Sequence, residues 1–317
     1  MGIKNLNKFL REKCVKNIQQ INLSDLTGKK LAIDISIYLY KYETNNALLE
    51  NIYLMLSIFR QYSIIPVFIF DGKPPPEKQA LLKKRREDKI IAKTEYNKLK
   101  EQLNDVSDEE KNEIITTMDQ LKKQFVCMNH EKIQKVKDLI VAYGATYYDA
   151  PGEADELCAM LVIKKKVWAC LSEDMDLFVY GCNRVVRYLS LTNETAVLYY
   201  TKGILEELNM TQKEFKEICV LSGTDYNINI NSVLHLSDAI KLFREFQKDS
   251  NNMSFYDWLT NTNLNLDLDL DLLSKINAMF DISGERTNSF TIPSKMGTIH
   301  KNSIKEILKE DGFMFID

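Results

Sequence analysis

Three short apolar runs stand out along the chain, at residues 30–35, 66–70 and 167–171. Each has the length and the β-branched or aromatic content of a buried strand. Between them, apolar residues recur with the spacing of amphipathic helices. These predicted helices cover residues 45–62, 77–103, 108–125, 129–143 and 153–165. Strands that alternate with helices predict an α/β fold, with a mostly parallel, twisted sheet flanked by helices.

The chain beyond residue 202 has a helical pattern, clearest at residues 211–222 and 232–246. Residues 261–272 alternate Asn or Asp with Leu. That period of two fits a strand, but the low-complexity composition favours a loop or an insertion. We therefore expect a smaller helical region at the C-terminal end, and the residues beyond 283 carry little signal.

The composition is that of a globular protein without zinc-ligand motifs. The chain has 317 residues, 45% of them hydrophobic and 27% charged, which is ordinary for a globular protein. Its six cysteines are scattered and never form Cys-x-x-Cys, so zinc-ligand spacing is missing and reduced intracellular thiols are expected. Neither a signal peptide nor a membrane span is indicated.

Charge is unevenly distributed. The formal net charge is −3, which gives no support for nucleic-acid binding. Residues 73–100, however, hold ten Lys or Arg against four Asp or Glu. Any nucleic-acid interaction must therefore depend on this local cluster.

Acids follow all three predicted strands. Asp34 lies near the end of the first, Asp71 follows the second, and residues 173–176 (Glu-Asp-Met-Asp) follow the third. Any one of them alone fits a helix N-cap or a solvated turn. In doubly wound sheets, ligands bind outside the carboxyl ends of the strands, so the acids are expected to converge. Oxygen ligands without His or Cys favour Mg²⁺ or Mn²⁺.

A further acidic helix start lies at residues 151–157. Acids there also stabilise a helix through its dipole, without any ligand. On a helix, Glu153 and Glu156 share a face more naturally than Glu153 and Asp155 do. Glu153 and Asp155 could both reach one metal site only from the first turn.

Six ordered pieces of the sequence resemble the flap endonucleases and the related xeroderma pigmentosum G type nucleases and exonucleases. They are Met1-Gly2-Ile3-Lys4-Asn5-Leu6, Ala32-Ile33-Asp34-Ile35-Ser36, Phe70-Asp71-Gly72-Lys73-Pro74-Pro75, Ala150-Pro151-Gly152-Glu153-Ala154-Asp155, Ser172-Glu173-Asp174-Met175-Asp176 and Ser222-Gly223-Thr224-Asp225-Tyr226. They cover roughly residues 1–226, and their order makes chance a poor explanation.

The resemblance implies a site with two divalent metals, Mg²⁺ with Mn²⁺ as a substitute, held partly through water. Its ligands would be Asp34, Asp71, Glu153, Asp155, Asp174, Asp176 and Asp225. Asp155 stands where many members have Glu, which shortens the reach by one methylene. Two metals about 4 Å apart would flank the scissile phosphate of an in-line displacement.

The resemblance also implies substrate contacts. Lys78 and Arg85 match the cations that draw the substrate phosphate toward the metals, and their spacing of seven places both on one face of a predicted helix. A solvated helix face is the ordinary alternative. Tyr40 matches a position that stacks on a base near the cut, although a buried core tyrosine fits equally well. The three histidines, His130, His235 and His300, follow no active-site pattern.

The implied organisation is a nuclease core at residues 1–226, followed by a helical DNA-binding-like region at residues 227–317. Within the core, an N-terminal motif region covers residues 1–106, a helical cap with a gateway for single strands covers about 72–128, and an internal motif region covers about 129–226. The long spacer of the xeroderma pigmentosum G type is absent.

Two departures from the family change these expectations. Residues 227–239 contain no Gly, where the family has a glycine-containing turn that holds potassium and contacts duplex phosphates. That contact is therefore in doubt. A sliding-clamp motif is also missing, since residues 312–315 (Gly-Phe-Met-Phe) match it poorly, so no clamp partner is expected.

The function implied is that of a structure-specific DNA endonuclease and 5′-exonuclease in replication, repair or recombination. We expect it to act as a monomer on branched or flapped DNA, inside a cell, in a nucleus or at a viral replication site. The alternatives are a Holliday-junction resolvase of the same superfamily and a catalytically weak DNA-binding relative. A haloacid-type phosphohydrolase is excluded, because Asp34-Ile35-Ser36 lacks the second Asp which that chemistry needs.

Overall fold

The computed structural model describes residues 2–102, 108–227, 234–249, 253–262, 269–282, 290–310 and 312–313. In these ranges the sheet is formed by β1 (Ile18–Asn22), β2 (Lys30–Asp34), β3 (Ile65–Phe70), β4 (Thr146–Asp149), β5 (Ala169–Leu171), β6 (Arg184–Ser190) and β7 (Thr195–Tyr200). Its order is β1-β7-β6-β5-β2-β3-β4. Strands β5, β2, β3 and β4 are parallel to their neighbours. Strand β6 is parallel to β5 but antiparallel to β7, and β1 is antiparallel to β7.

The helices in the same ranges begin with α1 (Leu6–Lys13), α2 (Ser36–Thr44), α3 (Leu48–Gln61), α4 (Gln79–Gln102), α5 (Asp108–Gln124), α6 (His130–Ala142) and α7 (Ala154–Ile163). They continue with α8 (Asp176–Val179), α9 (Thr201–Leu208), α10 (Gln212–Leu221), α11 (Leu236–Lys248), α12 (Phe255–Asn261), α13 (Leu270–Met279) and α14 (Lys301–Glu310). No helix in the described part of the chain is both long and apolar enough to cross a membrane.

The α/β fold and the three predicted strands are confirmed. Successive residues of β2 point to opposite faces, so Leu31 and Ile33 join one buried cluster while Ala32 joins the other. Helices α2, α3, α6 and α14 cover the first face, and α1, α7, α8 and α10 to α13 cover the second. Both faces of the central strands are therefore buried, which explains their continuous apolar sequence.

Local signals fix several helix ends. The Asn129 side chain accepts a hydrogen bond of 2.8 Å from the backbone N–H of Lys132 and caps α6. At the start of α10, Thr211 and Glu214 form a capping box. These two helices lie within about two residues of the predicted bounds.

The antiparallel edge of the sheet was not predicted. Strands β6 and β7 form a hairpin whose register shifts between Arg187 and Ser190, and β1 pairs with β7 at the edge. The late helix α14 was also missed, although Ile304 and Leu308 are buried in the core. Of the predicted loop at residues 261–272, Asn261 ends α12 and Leu270 begins α13, and residues 263–268 lie outside the described residues. Residues 314–315 of the weak clamp-motif match also lie outside them.

Candidate active site

The acids that follow the strands converge at one edge of the sheet. Asp34 is the last residue of β2, and its register with Ile69 of β3 places it beside Asp71, which follows β3 directly. The Asp34 side chain is 7% exposed and accepts hydrogen bonds from the Ser172 hydroxyl at 2.8 Å and the Ser36 backbone N–H at 3.2 Å. The loop after β5 and the start of α2 therefore orient the Asp34 carboxylate.

Asp71 is held between two helix starts. One oxygen accepts a bond of 2.5 Å from the Ser36 hydroxyl in the first turn of α2. The other accepts a bond of 2.9 Å from the backbone N–H of Ala154, the first residue of α7. A carboxylate in this position satisfies an otherwise free helix N–H and gains from the helix dipole.

Asp155, Asp174 and Asp176 form the tightest acidic group among the described residues. One carboxylate oxygen from each lies within 4.8 Å of the others. Asp155 comes from the first turn of α7, Asp174 follows β5, and Asp176 begins α8. Asp155 therefore reaches the site from the first turn, as the sequence required.

The Asp176 side chain is fully buried, and neither of its oxygens has a hydrogen-bond partner. Burial and then the charge of Asp174 raise the pKa of Asp176 well above its usual range. Burial, with the charge of Asp71 next, raises the pKa of Asp34 to about 7. Buried, unsatisfied carboxylates are costly unless a cation neutralises them, and an all-carboxylate donor set suits a hard divalent ion. The site therefore fits Mg²⁺ or Mn²⁺.

Gly2 packs against the carboxylates of Asp174 and Asp176. Its φ is +75°, and a Cβ there would lie 2.4 Å from Asp176 Oδ1 and 2.8 Å from Asp174 Oδ1. Only glycine fits a left-handed conformation with so close an approach. The sequence placed Gly2 in a matching piece without assigning it a role.

The Glu153 carboxylate accepts hydrogen bonds from an ammonium group and from a phenol. It lies just before α7, and its Oε1 accepts a hydrogen bond from Lys78 Nζ at 2.7 Å while its Oε2 accepts one from the Tyr226 hydroxyl at 2.7 Å. Burial on its own lowers the pKa of Lys78, but the Asp155 and Glu153 carboxylates outweigh that effect and raise it above its usual range. Lys78 therefore stays charged inside the site.

Arg85 and Asp225 form a second ion pair, with 3.2 Å between Arg85 Nη2 and Asp225 Oδ2. The expectation that Lys78 and Arg85 lie on one helix was wrong. Lys78 ends a 3-10 turn (Pro76–Lys78), and only Arg85 lies on α4. Proline in the turn favours an extended entry, which delays the regular helix to Gln79.

Tyr40 lies on α2 and is 44% exposed, so the buried-core alternative is excluded. Lys89 Nζ of α4 lies 5.1 Å from the centre of its ring. Its neighbours Tyr38 and Tyr42 are the buried tyrosines of this helix. The ring of Tyr40 is thus exposed and lies beside α4.

The other candidate groups lie outside this site. All three histidines are exposed. Every cysteine is free, and only Cys127 is exposed. Sequence reasoning missed Ser36, Ser172, Gly2 and Tyr226, although each lies inside a matching piece. Their contacts are with residues distant in the sequence, which local patterns do not reveal.

Comparison with known proteins is consistent with this geometry. Residues 1–92 match the XPG N-terminal domain and residues 144–225 match the XPG I-region. The chain is 30% identical to the RAD2-like endonuclease 369L of Invertebrate iridescent virus 6, over 73% of this chain and 68% of that protein. It is 32% identical to flap endonuclease 1 of Meyerozyma guilliermondii, over 77% of this chain and 68% of that protein.

Solved structures share the fold. The catalytic core of Rad2 in complex with a DNA substrate has a TM-score of 0.66 at 19% identity, covering 98% of this chain and 94% of that one. Human GEN1 in complex with Holliday junction DNA has a TM-score of 0.63 at 17% identity, covering 98% and 73%.

Proposed function

Because the chain belongs to the flap endonuclease/XPG family, we propose that it is a structure-specific DNA endonuclease and 5′-exonuclease that uses two Mg²⁺ ions. It hydrolyses phosphodiester bonds near junctions of single-stranded and duplex DNA, as a monomer, in replication, repair or recombination. Mn²⁺ is expected to substitute for Mg²⁺. The observation that carries the proposal is the group of Asp155, Asp174 and Asp176, in which a buried carboxylate lacks any hydrogen-bond partner.

The acids divide into three sets. Asp155, Asp174 and Asp176 are the central ligands. Asp34 and Asp71, oriented by Ser172 and Ser36, lie at neighbouring strand ends and extend the ligand set. Glu153 and Asp225 are paired with Lys78 and Arg85, so they bind metal directly or through water once the metal displaces those cations. Bound divalent ions in such sites supply an activated water and neutralise charge on the phosphate.

Lys78 and Arg85 supply positive charge for the substrate. Both lie within reach of acids in the site, and their partners are carboxylates that a metal would otherwise neutralise. A phosphate offers them a charge-assisted contact of the same kind. We infer that metal displaces them from these carboxylates and that a DNA phosphate then becomes their partner.

The exposed ring of Tyr40 supports a stacking role for a base beside the cut. Helices α4 and α5 would form the helical cap, and the basic residues of α4 suit a single strand that passes beneath it. Helices α4 and α5 pack against each other, and Tyr96 contacts Phe125 with 5.3 Å between ring centres. A cap of this form favours cleavage of flaps and ends.

The second candidate is resolution of four-way junctions. The likeness of the fold to GEN1 favours it, although at 17% identity this concerns the fold alone. The two functions place different DNA arms against the same acids, so substrate choice distinguishes them.

The proposal is tested with matched 5′-flap, gapped, nicked and four-way-junction substrates of one sequence. The purified full chain should cleave the 5′-flap fastest with Mg²⁺ and lose cleavage when EDTA is added. Fastest cleavage of the four-way junction, in paired symmetrical cuts, would establish the second candidate instead. Binding of DNA without cleavage of any substrate in Mg²⁺ or Mn²⁺ would contradict both.

A further inference from the structure

Tyr226 joins two charged groups of the site through one side chain. Its hydroxyl donates a hydrogen bond of 2.7 Å to Glu153 Oε2. Lys78 Nζ donates to the other oxygen of the same carboxylate and lies 4.9 Å from the centre of the Tyr226 ring. Both oxygens of Glu153 are thus engaged, and the ammonium has a carboxylate on one side and an aromatic face on another.

The tyrosine is itself held firmly. Its backbone N–H donates a hydrogen bond of 3.2 Å to Thr224 Oγ1. Its ring meets Phe280 edge to face, with 5.6 Å between ring centres, and Phe280 also contacts Tyr180 at 5.0 Å. Phe280 is only 2% exposed and directly follows α13. Phe280, at the end of α13, therefore helps to fix where the Tyr226 hydroxyl points.

The phenol acts as a donor. Its hydroxyl faces a carboxylate oxygen, which can only accept a hydrogen bond, so the phenol O–H is the donor. A donor fixed by packing restricts the carboxylate to one orientation, because a glutamate side chain has several rotamers of similar energy. Outer-shell donors of this kind orient the ligands of metal sites.

We propose that Tyr226 is a positioning residue, whose hydroxyl holds one oxygen of the Glu153 carboxylate and so orients the other oxygen, which Lys78 occupies until a divalent cation displaces it. This inference rests on the proposed function, since it assigns Glu153 to the metal site. It also links α13 to the metal site, because Phe280 at the end of that helix contacts Tyr226.

Tyr226→Phe separates this role from simple packing. The variant keeps the ring, with its contacts to Phe280 and Lys78, and removes only the hydroxyl. Tyr256→Phe is a matched control, because that buried hydroxyl donates a single hydrogen bond of 3.0 Å to the backbone carbonyl of Glu217 and contacts none of the acids in the site. Each variant removes a tyrosine hydroxyl and its hydrogen bond, which is part-buried for Tyr226 and buried for Tyr256.

Mn²⁺ affinity of the full chain is measured by calorimetry, without DNA. Tyr226→Phe should weaken it by about 10- to 100-fold, the usual loss when an outer-shell partner is removed. Tyr256→Phe should leave it unchanged. In single-turnover cleavage, the Mg²⁺ concentration for half-maximal rate should rise by the same factor in Tyr226→Phe, while the rate at saturating Mg²⁺ recovers.

Equal Mn²⁺ affinity in wild type, Tyr226→Phe and Tyr256→Phe would overturn the inference. So would an equal loss of affinity in both variants, which would indicate general loosening. Failure of the proposed function looks different: wild-type protein would bind Mn²⁺ and cleave no DNA substrate. The positioning role would then still be decided by the calorimetry alone.

Discussion

At the scale of single residues, the acids differ in how they are satisfied. Asp34 and Asp71 accept hydrogen bonds from serine hydroxyls and backbone N–H groups, whereas Asp176 accepts none. A buried carboxylate without a hydrogen-bond donor has lost its hydration, and no hydrogen bond replaces it. The free energy stored there is recovered when a cation binds, which makes Asp176 the strongest individual indicator of a metal.

Removing an acid assigned to metal should abolish cleavage and spare DNA binding. Asp71→Ala and Asp174→Ala each delete a carboxylate assigned to metal, and less negative charge should also reduce repulsion of the phosphate. We expect no measurable cleavage, with DNA affinity equal to or above that of wild type in a binding titration. Asp138→Ala, an exposed acid on α6, is the control. Cleavage near the wild-type rate by either site variant would contradict the metal assignment.

Lys78 and Arg85 should act on the reaction more than on affinity. The phosphoryl oxygens gain negative charge in the transition state, and loss of one fixed donor there typically costs about 10²–10³ in rate. In single-turnover reactions with saturating enzyme, Lys78→Ala and Arg85→Ala should show losses of that order.

Lys98→Ala provides the matched comparison, since Lys98 is an exposed cation farther along α4. It should weaken binding slightly and reduce the salt slope by about one unit. If Lys78→Ala and Arg85→Ala regain the wild-type rate once DNA is saturated, the basic segment is only an electrostatic landing surface.

At the scale of elements, the site depends on how closely the loops after β3 and β4 approach each other. Gly72 N–H donates a hydrogen bond of 2.7 Å to the Gly152 carbonyl, and a Cβ on Gly72 would lie 1.9 Å from the Ala150 carbonyl oxygen. One loop carries Asp71 and the other leads to Glu153. The contact is between backbones, so no side-chain movement can relieve a clash.

Gly72→Ala should therefore separate the two loops and reduce cleavage strongly. Gly203→Ala on α9 is a useful comparison, because its Cβ would lie 1.9 Å from a side-chain atom, Asn17 Oδ1, far along the chain from the acids. Thermal unfolding and single-turnover rates of both variants distinguish the cases. We expect both to lose stability and only Gly72→Ala to lose most of its rate. An active Gly72→Ala would mean that the loops tolerate separation.

At the scale of the whole molecule, the region after the last acid departs from its family. Asn227 closes its own turn: its side chain accepts from the Thr224 backbone N–H at 2.5 Å and donates to the Val220 carbonyl at 2.9 Å. Residues 228–233 lie outside the described residues, and α11 begins at Leu236. The absence of Gly in residues 227–239 remains the basis for doubting a potassium site.

Exchanging K⁺ for Na⁺ at constant ionic strength should therefore change duplex affinity little. Fluorescence anisotropy with a labelled duplex measures this directly, and constant ionic strength removes the general salt effect on phosphate contacts. A large gain in affinity specific to K⁺ would establish that the turn holds potassium without glycine.

The sequence alone was sufficient for the central strands, most helices and the acids at the strand ends. Strands buried on both faces read as continuous apolar runs, and parallel strands bring their carboxyl ends to one edge, so Asp34, Asp71 and Asp174 could be grouped before any coordinates. The order of the matching pieces likewise identified the family.

Only the tertiary structure decided how those acids are paired. The Lys78–Glu153 contact joins residues 75 apart, and the contact of Tyr226 with Glu153 joins residues 73 apart. The lack of a hydrogen-bond partner for the buried Asp176 carboxylate and the approach of Gly2 to it are equally non-local. Periodicity and capping report only on neighbours within a few residues, whereas these contacts are set by how the packed helices bring distant segments together.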